Sequence, residues 1–562
     1  MSSLYIKNRL ALIDYTSKYF DNFEELLNSD EFHFFMDSFL KDLKKKHHDL
    51  YDWVLDGKSL AEAIDSLTIK AKLLFALDVE DIRSIRKEET PRYLALVESA
   101  YHYWRNLHRF SVTFSHHQEG VLLSSFLSYD RRYNDLIIGF YRTIQEKLQC
   151  SKNSVYRQLQ AGTNGSLLLC YNVLGFKGEY SKLNGIPVIQ KVLLRSPIII
   201  HLKHNKRIGT FEETNDNPIK QDLDLYNFFC YPCMVGDSYT LVFFHKDYTA
   251  SAIGLANLFE FADFSKINRK PDCIVLFGVD DQKDETVFYY DEENDIQIGK
   301  ISRQPIIEYF GYFKKMMLTL HNLNSIKRGR IPIHGAMINM HLKDGRKKGV
   351  VLMGDSGAGK SETIDALSKL SEEIEYQEII FDDMGAMYQN DKGEIVAVGT
   401  ETGAFVRLDD LDSASSYKDL DRSIFFNPES PKNARVITPV SSYDAIMKEN
   451  KVDIFLYANN YTDIMGLNIM DDVEAFKATC KEGIRYAMGT TGEIGISKTY
   501  YANPFGPMQK QEESDKIIDE LYSHFNENKL KYGELYTHLS LPNKDEGLTT
   551  AAKRLLELIE ND

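Results

Sequence analysis

A run of glycines followed by a lysine and a serine is the strongest chemical signal in the chain: Gly354, Asp355, Ser356, Gly357, Ala358, Gly359, Lys360, Ser361. It fits the P-loop pattern GxxxxGK[ST], in which glycines let backbone N–H groups turn toward phosphate oxygens. Lys360 is expected to neutralise the β- and γ-phosphates, and Ser361 to hold a divalent cation. An apolar run over 350–353 precedes the loop and a helical pattern beginning at Glu362 follows it, so the context predicts nucleotide binding by residues 354–362.

Two further groups that could bind a metal stand near this loop in the sequence. The apolar run 379–381 ends in Asp382 and Asp383, and Asp382 follows Lys360 by 22 residues. A tandem Asp after a strand is often only a turn, but beside a P-loop it suits a metal-binding and catalytic edge. His334 lies one predicted strand before the loop; a lone His there is usually structural, yet neutral imidazole is a good ligand for Mn²⁺.

An amphipathic helix is predicted over 305–323, upstream of His334. It carries Tyr309, Lys314 and Lys315. The apolar spacing by itself places the two lysines on a solvated face.

The length and the patterning predict an α/β protein of several parts. At 562 residues the chain exceeds one ordinary domain. Residues 1–150 show helical periodicity and predict a helical N-terminal extension. Residues 151–304 contain short apolar and aromatic runs between turn residues, which predict a mixed, β-rich α/β domain. In residues 305–562 strands and helices alternate around the glycine-rich loop.

Composition and charge bound the function classes. The chain carries 67 Lys and Arg against 83 Asp and Glu, a net charge of −16, which argues against a dedicated nucleic-acid binder but not against a local anion pocket. The N-terminus has no leader pattern and no run of 18 apolar residues occurs, so a soluble, cytoplasmic protein without a membrane partner is expected. The six cysteines are sparse, and the pair Cys230 and Cys233 is interpreted as ordinary reduced thiols.

The order of these segments resembles two families that share one P-loop kinase core, phosphoenolpyruvate carboxykinase and HPr kinase/phosphorylase. The loop with Ser361-Glu362 is nearer to HPr kinase, whereas the flanking segments are similar to the ATP-dependent carboxykinases. The similar segments, with Lys315 and His334 spaced by 19 residues, are Tyr309-Phe-Gly-Tyr-Phe-Lys-Lys315, Thr400-Glu-Thr-Gly-Ala-Phe-Val-Arg407, Lys432-Asn-Ala-Arg435 and Gly489-Thr-Thr-Gly-Glu493 with Tyr501-Ala-Asn-Pro-Phe-Gly506. The resemblance covers about residues 305–510 and implies a carboxykinase-like mixed-sheet kinase core.

The resemblance implies roles for individual residues. Lys315, His334 and Asp383 would ligate a catalytic Mn²⁺ or Mg²⁺. A second Mg²⁺ would lie on Ser361 near Asp382, while Lys360 and the loop hold the phosphates of ATP. Arg435 would contact the transferred phosphoryl group, and Tyr309 and Arg407 would belong to the pocket for a small carboxylic acid. The implied reaction converts oxaloacetate to phosphoenolpyruvate.

Some features of the chain depart from the carboxykinase pattern. Arg407 stands where a Lys is expected, and Glu and Thr are missing from the segment 432–435. For the arginine that grips the acid, the candidates are Arg195, in Arg-Ser-Pro, and Arg157, in a segment that also reads as a helix end followed by a Gly/Asn turn.

Three hypotheses follow. The first is a carboxykinase. The second is a kinase of the HPr kinase type, in which Asp382 or Asp383 acts as a general base for a hydroxyl. The third is a nucleotide-binding regulatory protein without catalysis. ATP, GTP and pyrophosphate stay open as phosphoryl donors, and so does the oligomeric state.

Overall fold

A computed structural model describes most of the chain, in the ranges 3–115, 123–149, 160–208, 211–355, 357–368, 370, 374–408, 420–431, 433–488, 494–542 and 544–561. The chain divides into two compact units: residues 1–173 with 187–195, and residues 174–186 with 196–562. The predicted mixed α/β class is confirmed, while the boundaries predicted at 150/151 and 304/305 stay predictions. Among the described residues no helix has both the length and the apolar character needed to cross a bilayer.

The described strands are β1 (Leu4–Lys7), β2 (Leu10–Asp14), β3 (His108–Ser115), β4 (Gly165–Cys170), β5 (Val188–Leu194), β6 (Ile198–Ile200), β7 (Glu212–Glu213), β8 (Phe228–Val235), β9 (Ser238–His245), β10 (Glu260–Phe261), β11 (Cys273–Val279), β12 (Thr286–Asp291), β13 (Ile296–Ser302), β14 (Ile331–Leu342), β15 (Lys347–Met353), β16 (Ile374–Gln389), β17 (Ile395–Gly399), β18 (Gly403–Arg407), β19 (Ile424–Phe426), β20 (Arg435–Pro439), β21 (Asn450–Lys451), β22 (Ile454–Asn459), β23 (Gly466–Ile469), β24 (Ile484–Met488), β25 (Ile494–Lys498) and β26 (Lys531–Tyr536).

The described α-helices are α1 (Phe23–Leu27), α2 (Asp30–Lys46), α3 (His48–Leu55), α4 (Leu60–Ala76), α5 (Thr90–Arg105), α6 (Leu123–Gln149), α7 (Thr249–Ala252), α8 (Leu255–Leu258), α9 (Gly311–Lys327), α10 (Lys360–Ser368), α11 (Tyr443–Met447), α12 (Val473–Glu482), α13 (Gln511–Ser523) and α14 (Lys544–Asn561).

The first unit combines helices α1–α6 with strands β1–β5. Its strands pair in the order β1-β2-β3-β4-β5, with parallel pairing of β2, β3 and β4 and antiparallel pairing at both ends. Helix α4 begins with a reciprocal cap, because Ser59 accepts from the Glu62 backbone N–H while Glu62 accepts from that of Ser59. Its helical periodicity was readable from the sequence, whereas strands β1–β3 within residues 1–150 were not expected.

The second unit contains an eight-stranded sheet in the order β21-β17-β16-β14-β15-β22-β26-β23. Strands β15, β22 and β26 run parallel, and β14 pairs antiparallel with β15 and β16. Side chains alternate between two apolar cores, so that Val351 packs on the face covered by α12 and α13, and Val350 on the face covered by α10 and α14.

Further strands of the second unit pair in the order β8-β9-β11-β13-β12-β7, and β6, β19, β20 and β18 form a small sheet. Helix α9 packs against β11 and β13 and also against β14 and β16. Because it lies between two sheets, it is buried around its circumference, and the side chain of Lys314 is 1% exposed. The prediction of an amphipathic helix with solvated lysines is therefore wrong; a separate short turn, Pro305–Glu308, precedes the helix.

Candidate functional site

The glycine-rich segment links the end of β15 to the start of α10. Gly359 has a φ of +95°, which favours glycine, and an added Cβ would lie 2.6 Å from Thr537. The Gly354 N–H donates to the His334 carbonyl oxygen at 3.0 Å, which joins the loop to β14. Of the predicted nucleotide-binding residues, Ser356 lies outside the described part of the chain. Glu362 stands in the first turn of α10.

The Lys360 ammonium bridges the two ends of this loop. Its Nζ donates to the carbonyl oxygens of Gly354 and Asp355, at 2.7 and 3.0 Å. Burial lowers the pKa of Lys360, and the charges of Asp383 and Asp355 oppose that shift. The cation therefore sits among loop groups that a phosphate could replace as its partners.

The serine of the loop touches the first of the tandem aspartates. Ser361 Oγ donates to Asp382 Oδ1 at 3.0 Å. Strand β16 carries Asp382 to this point because it pairs with β14, beside the strand that feeds the loop. The structure thus brings together the two residues predicted to share a second metal.

Asp383 lies at the centre of a buried cluster of charges. Its Oδ2 is 2.7 Å from the Nζ of Lys314 and 2.7 Å from that of Lys315, and its Oδ1 is 3.0 Å from His334 Nε2. Burial by itself would raise the pKa of Asp383, but Lys314, Lys315 and His334 hold it well below its ordinary value. The carboxylate is therefore charged and a weak base.

The backbone at Asp383 is strained. Its φ is +139°, a region that residues with a Cβ rarely adopt and that commonly marks functional sites. In the sheet register Gly335 lies opposite both Asp383 and Met353. An added Cβ on Gly335 would lie 2.4 Å from the Leu352 carbonyl oxygen, so the close strand approach requires glycine there.

The orientation of His334 bears on metal binding. Its Nδ1 is 3.0 Å from the Ala502 carbonyl oxygen, which only accepts, so Nδ1 carries a proton. Nε2 then faces Asp383 Oδ1 with a second proton between them, and a cation in place of that proton would gain both atoms as ligands.

These residues fit a divalent cation. Neighbouring ligand atoms on an octahedral ion with bonds of about 2.1 Å lie about 3 Å apart, close to the 2.7 and 3.0 Å that separate Asp383 from Lys315 and His334. Burial lowers the pKa of Lys315, as a lysine ligand requires, although Asp383 opposes it. Within the described residues no group of three or more His, Cys, Asp and Glu could hold a metal, so such a site depends on the lysine.

Glu401 extends the cluster and was not among the predicted site residues. Its Oε1 is 2.9 Å from Lys314 Nζ, and the residue is 4% exposed. Burial raises the pKa of Glu401 to about 7, although Lys314 lowers it. The only sequence signal was its place in the segment 400–407 that resembles a carboxykinase motif.

An aromatic ring connects the predicted acid-binding residues to the cluster. The centre of the Phe405 ring lies 5.7 Å from Lys314 Nζ, 5.4 Å from the Arg435 guanidinium carbon and 6.0 Å from the Tyr309 ring. Arg407 pairs directly with Arg435 between β18 and β20. Tyr309 and Arg435 thus lie near Lys314 with Arg407 beside Arg435, while Arg157 is outside the described residues.

Arg207 is a second residue that sequence reasoning missed. The Phe505 ring lies 5.5 Å from its guanidinium carbon and 4.7 Å from Lys315 Nζ. Burial lowers the pKa of Arg207. No motif marks this position. By contrast Arg195, the candidate in Arg-Ser-Pro, forms an ion pair with buried Asp130 inside the first unit.

A buried ion pair supports the loop itself. Arg485 Nε lies 3.0 Å from Asp355 Oδ2, and the two residues are 4% and 6% exposed. A carboxylate inside an anion-binding loop would repel phosphate, and the adjacent guanidinium offsets that charge. The sequence gives no sign of this pairing, because 130 residues separate the two partners.

No protein-family model matches this chain, and no curated protein sequence matches it either. The assignment of a function therefore depends on the geometry of the site and on the order of its motifs.

Proposed function

We propose that this protein is a phosphotransferase that uses ATP and a divalent metal to convert oxaloacetate to phosphoenolpyruvate and CO₂. The observation that supports it is the meeting of Lys315, His334 and Asp383 in one buried cluster. Ordinary phosphate loops need only the loop lysine, its serine and an acidic strand end. A lysine, a histidine and an aspartate with converging donor atoms offer an additional cation site for the acid substrate.

The proposed reaction has two bond changes. The C–C bond to the departing carboxylate breaks and releases CO₂, and its electron pair forms an enolate. The enolate oxygen then attacks the γ-phosphorus of ATP, and the bond to the ADP oxygen breaks. Negative charge develops on the enolate and on the phosphoryl oxygens, so fixed positive groups stabilise the reaction.

Several residues of the chain meet these needs. Lys360 would exchange its loop carbonyl partners for phosphate oxygens, and Arg435 would contact the transferred phosphoryl group. Arg207 and Tyr309 would bind the carboxylate of the acid. Lys315, His334 and Asp383 would hold the metal, which supplies Lewis-acid charge stabilisation when bound.

A coupled assay of the purified protein tests the proposal. It contains oxaloacetate, ATP and Mn²⁺ and detects phosphoenolpyruvate, with Lys360→Ala, His334→Ala and the matched surface control Lys347→Ala. We expect product with wild type and the control, and at least a thousandfold loss of turnover in the two site variants. Wild-type protein that binds ATP but makes no phosphoenolpyruvate would overturn the choice of acceptor.

A second candidate is a kinase for a hydroxyl of a small molecule or a protein serine. The contact of Ser361 with Asp382 favours it, since a carboxylate beside the loop serine also suits a general base for a hydroxyl. Asp383 is less suited to that role because its pKa is held well below the ordinary value. In this case ADP formation would require a hydroxyl acceptor, would not respond to oxaloacetate and would be lost in Asp382→Asn.

A further inference from the structure

The first unit contains an apolar cavity of about 170 Å³, separate from every described residue of the candidate site. It lies among α2, α4, α5 and α6 and the strands β1 and β2. Its lining is almost entirely aliphatic and aromatic, with Phe32, Leu74, Tyr93 and Phe140 among the larger side chains. Protein interiors are ordinarily close-packed, so a space of this size is unusual. An apolar cavity of ~150 Å³ stays dry and takes up a benzene molecule.

The charged groups of this lining do not cancel. They are Lys18, Glu31 and Lys70. Glu31 accepts a hydrogen bond from Ser3 Oγ, and its Oε2 is 3.4 Å from Lys18 Nζ. Lys70 Nζ instead donates to the Tyr93 hydroxyl at 2.6 Å and has no carboxylate partner among the described residues. One positive charge is therefore left at the Lys70 side of an apolar space.

Lys70 and Tyr93 are suited to bind an anion together. Tyr93 Oη accepts from Lys70, and its own proton is donated to no acceptor in the described part of the chain. Lys70 is only partly buried, and its ammonium lies 5.0 Å from the centre of the Tyr93 ring. An ammonium and a phenol adjacent to each other can both donate to one carboxylate.

We propose that this cavity binds a medium-chain amphiphile with one anionic head group, such as a fatty carboxylate. The head group would accept from Lys70 and Tyr93, and the alkyl chain would fill the apolar space beside Ala71 and Leu74. The cavity volume limits the chain to about six to eight carbons, given that ~150 Å³ holds benzene. Each methylene buried adds to the affinity through the hydrophobic effect.

Octanoate is the probe, titrated calorimetrically and by thermal unfolding into the full-length protein. The matched pair of variants is Lys70→Gln and Lys72→Gln, because Lys72 stands on the same helix, donates to Asn28 and does not line the cavity. We expect saturable binding to wild type and to Lys72→Gln, with a rise in Tm, and at least a tenfold weaker affinity in Lys70→Gln. Octanol, which lacks the charge, should bind wild type and Lys70→Gln equally, and acetate should not bind.

A cavity-filling variant, Ala71→Leu, tests the position of the alkyl chain. It should abolish octanoate binding without lowering the Tm of the free protein, because added methylenes fill empty space. If Ala71→Leu unfolds, the Lys70 and Lys72 pair decides alone. Absence of saturable octanoate binding to wild type, or equal effects of Lys70→Gln and Lys72→Gln, would overturn the proposal.

Discussion

The two units bury positive charge in different ways. In the second unit Lys314 lies between the carboxylates of Asp383 and Glu401. In the first unit the guanidinium of Arg109 is surrounded by backbone carbonyls, donating to Gly162 at 2.6 Å, Trp104 at 2.7 Å and Leu107 at 3.1 Å.

The consequences for the two cations are opposite. Burial lowers the pKa of Arg109 to about 10, because neutral dipoles compensate the lost hydration only in part. Burial also acts on Lys314, but Asp383 and Glu401 raise its pKa above the ordinary value. The arginine is a structural crosslink of neighbouring loops. The lysine belongs to a cluster of dense charge that can exchange partners, which is the property a phosphoryl-transfer site needs.

The largest expected effect is at Asp383. Asp383→Asn removes the partner of both lysines and the proposed metal ligand, so turnover should fall by a factor of about 10³ or more. The buried cations left behind should reduce the free energy of unfolding by about 3–5 kcal/mol. Denaturant melts and Mn²⁺ titration measure both effects, with exposed Asp391→Asn as the control. Unchanged Mn²⁺ affinity would contradict the assigned ligand set.

Replacement of Arg109 should affect stability alone. Arg109→Met leaves several buried carbonyls without their donor, and a loss of about 3–5 kcal/mol is expected. Nucleotide affinity, measured under conditions where the variant remains folded, should equal that of wild type. Exposed Arg92→Met provides the matched comparison and should change the stability by less than about 0.5 kcal/mol. A variant that folds normally but loses nucleotide binding would end the contrast between the two units.

A buried histidine predicts a pH dependence that is separate from the active-site cluster. Burial lowers the pKa of His321 to about 4, and its Nδ1 lies 3.0 Å from Ser238 Oγ. The unfolded state takes up the proton first, near pH 6.5. The associated stability is thus fully present above pH 6.5 and is lost as the pH falls toward 4, by at most about 3 kcal/mol. His321→Asn should flatten this part of the stability profile; an identical profile in the variant would contradict the assignment.

The smallest effect is expected at exposed ion pairs. Lys41 Nζ is 2.6 Å from Asp37 one turn away on α2, yet the lysine side chain is 65% exposed. Water screens such a pair, so Lys41→Ala should lower the free energy of unfolding by about 0.5 kcal/mol or less. Chemical denaturation resolves this difference from the buried clusters, and a loss above ~2 kcal/mol would show that exposure does not rank these interactions.

Much of the proposed site was accessible from local pattern. The glycine spacing and the following lysine identified the loop, and the end of an apolar strand identified Asp382 and Asp383. The solvation of Lys314 was predicted wrongly, because apolar spacing on one helix does not reveal that a second sheet covers its other side. Arg207 and Arg485 lie in segments without a motif, and their partners are far away in the sequence.

The sequence by itself determined the P-loop pattern, the α/β class and the acidic net charge, because each depends on residue type or on spacing within a few turns. Only the tertiary structure decided which charges meet. Asp383 gains Lys315 and His334 through the packing of α9 against β14 and β16, and Asp355 gains Arg485 from a distant strand. Burial and charge pairing act through space, and the chain approaches those distances only when its sheets and helices have packed.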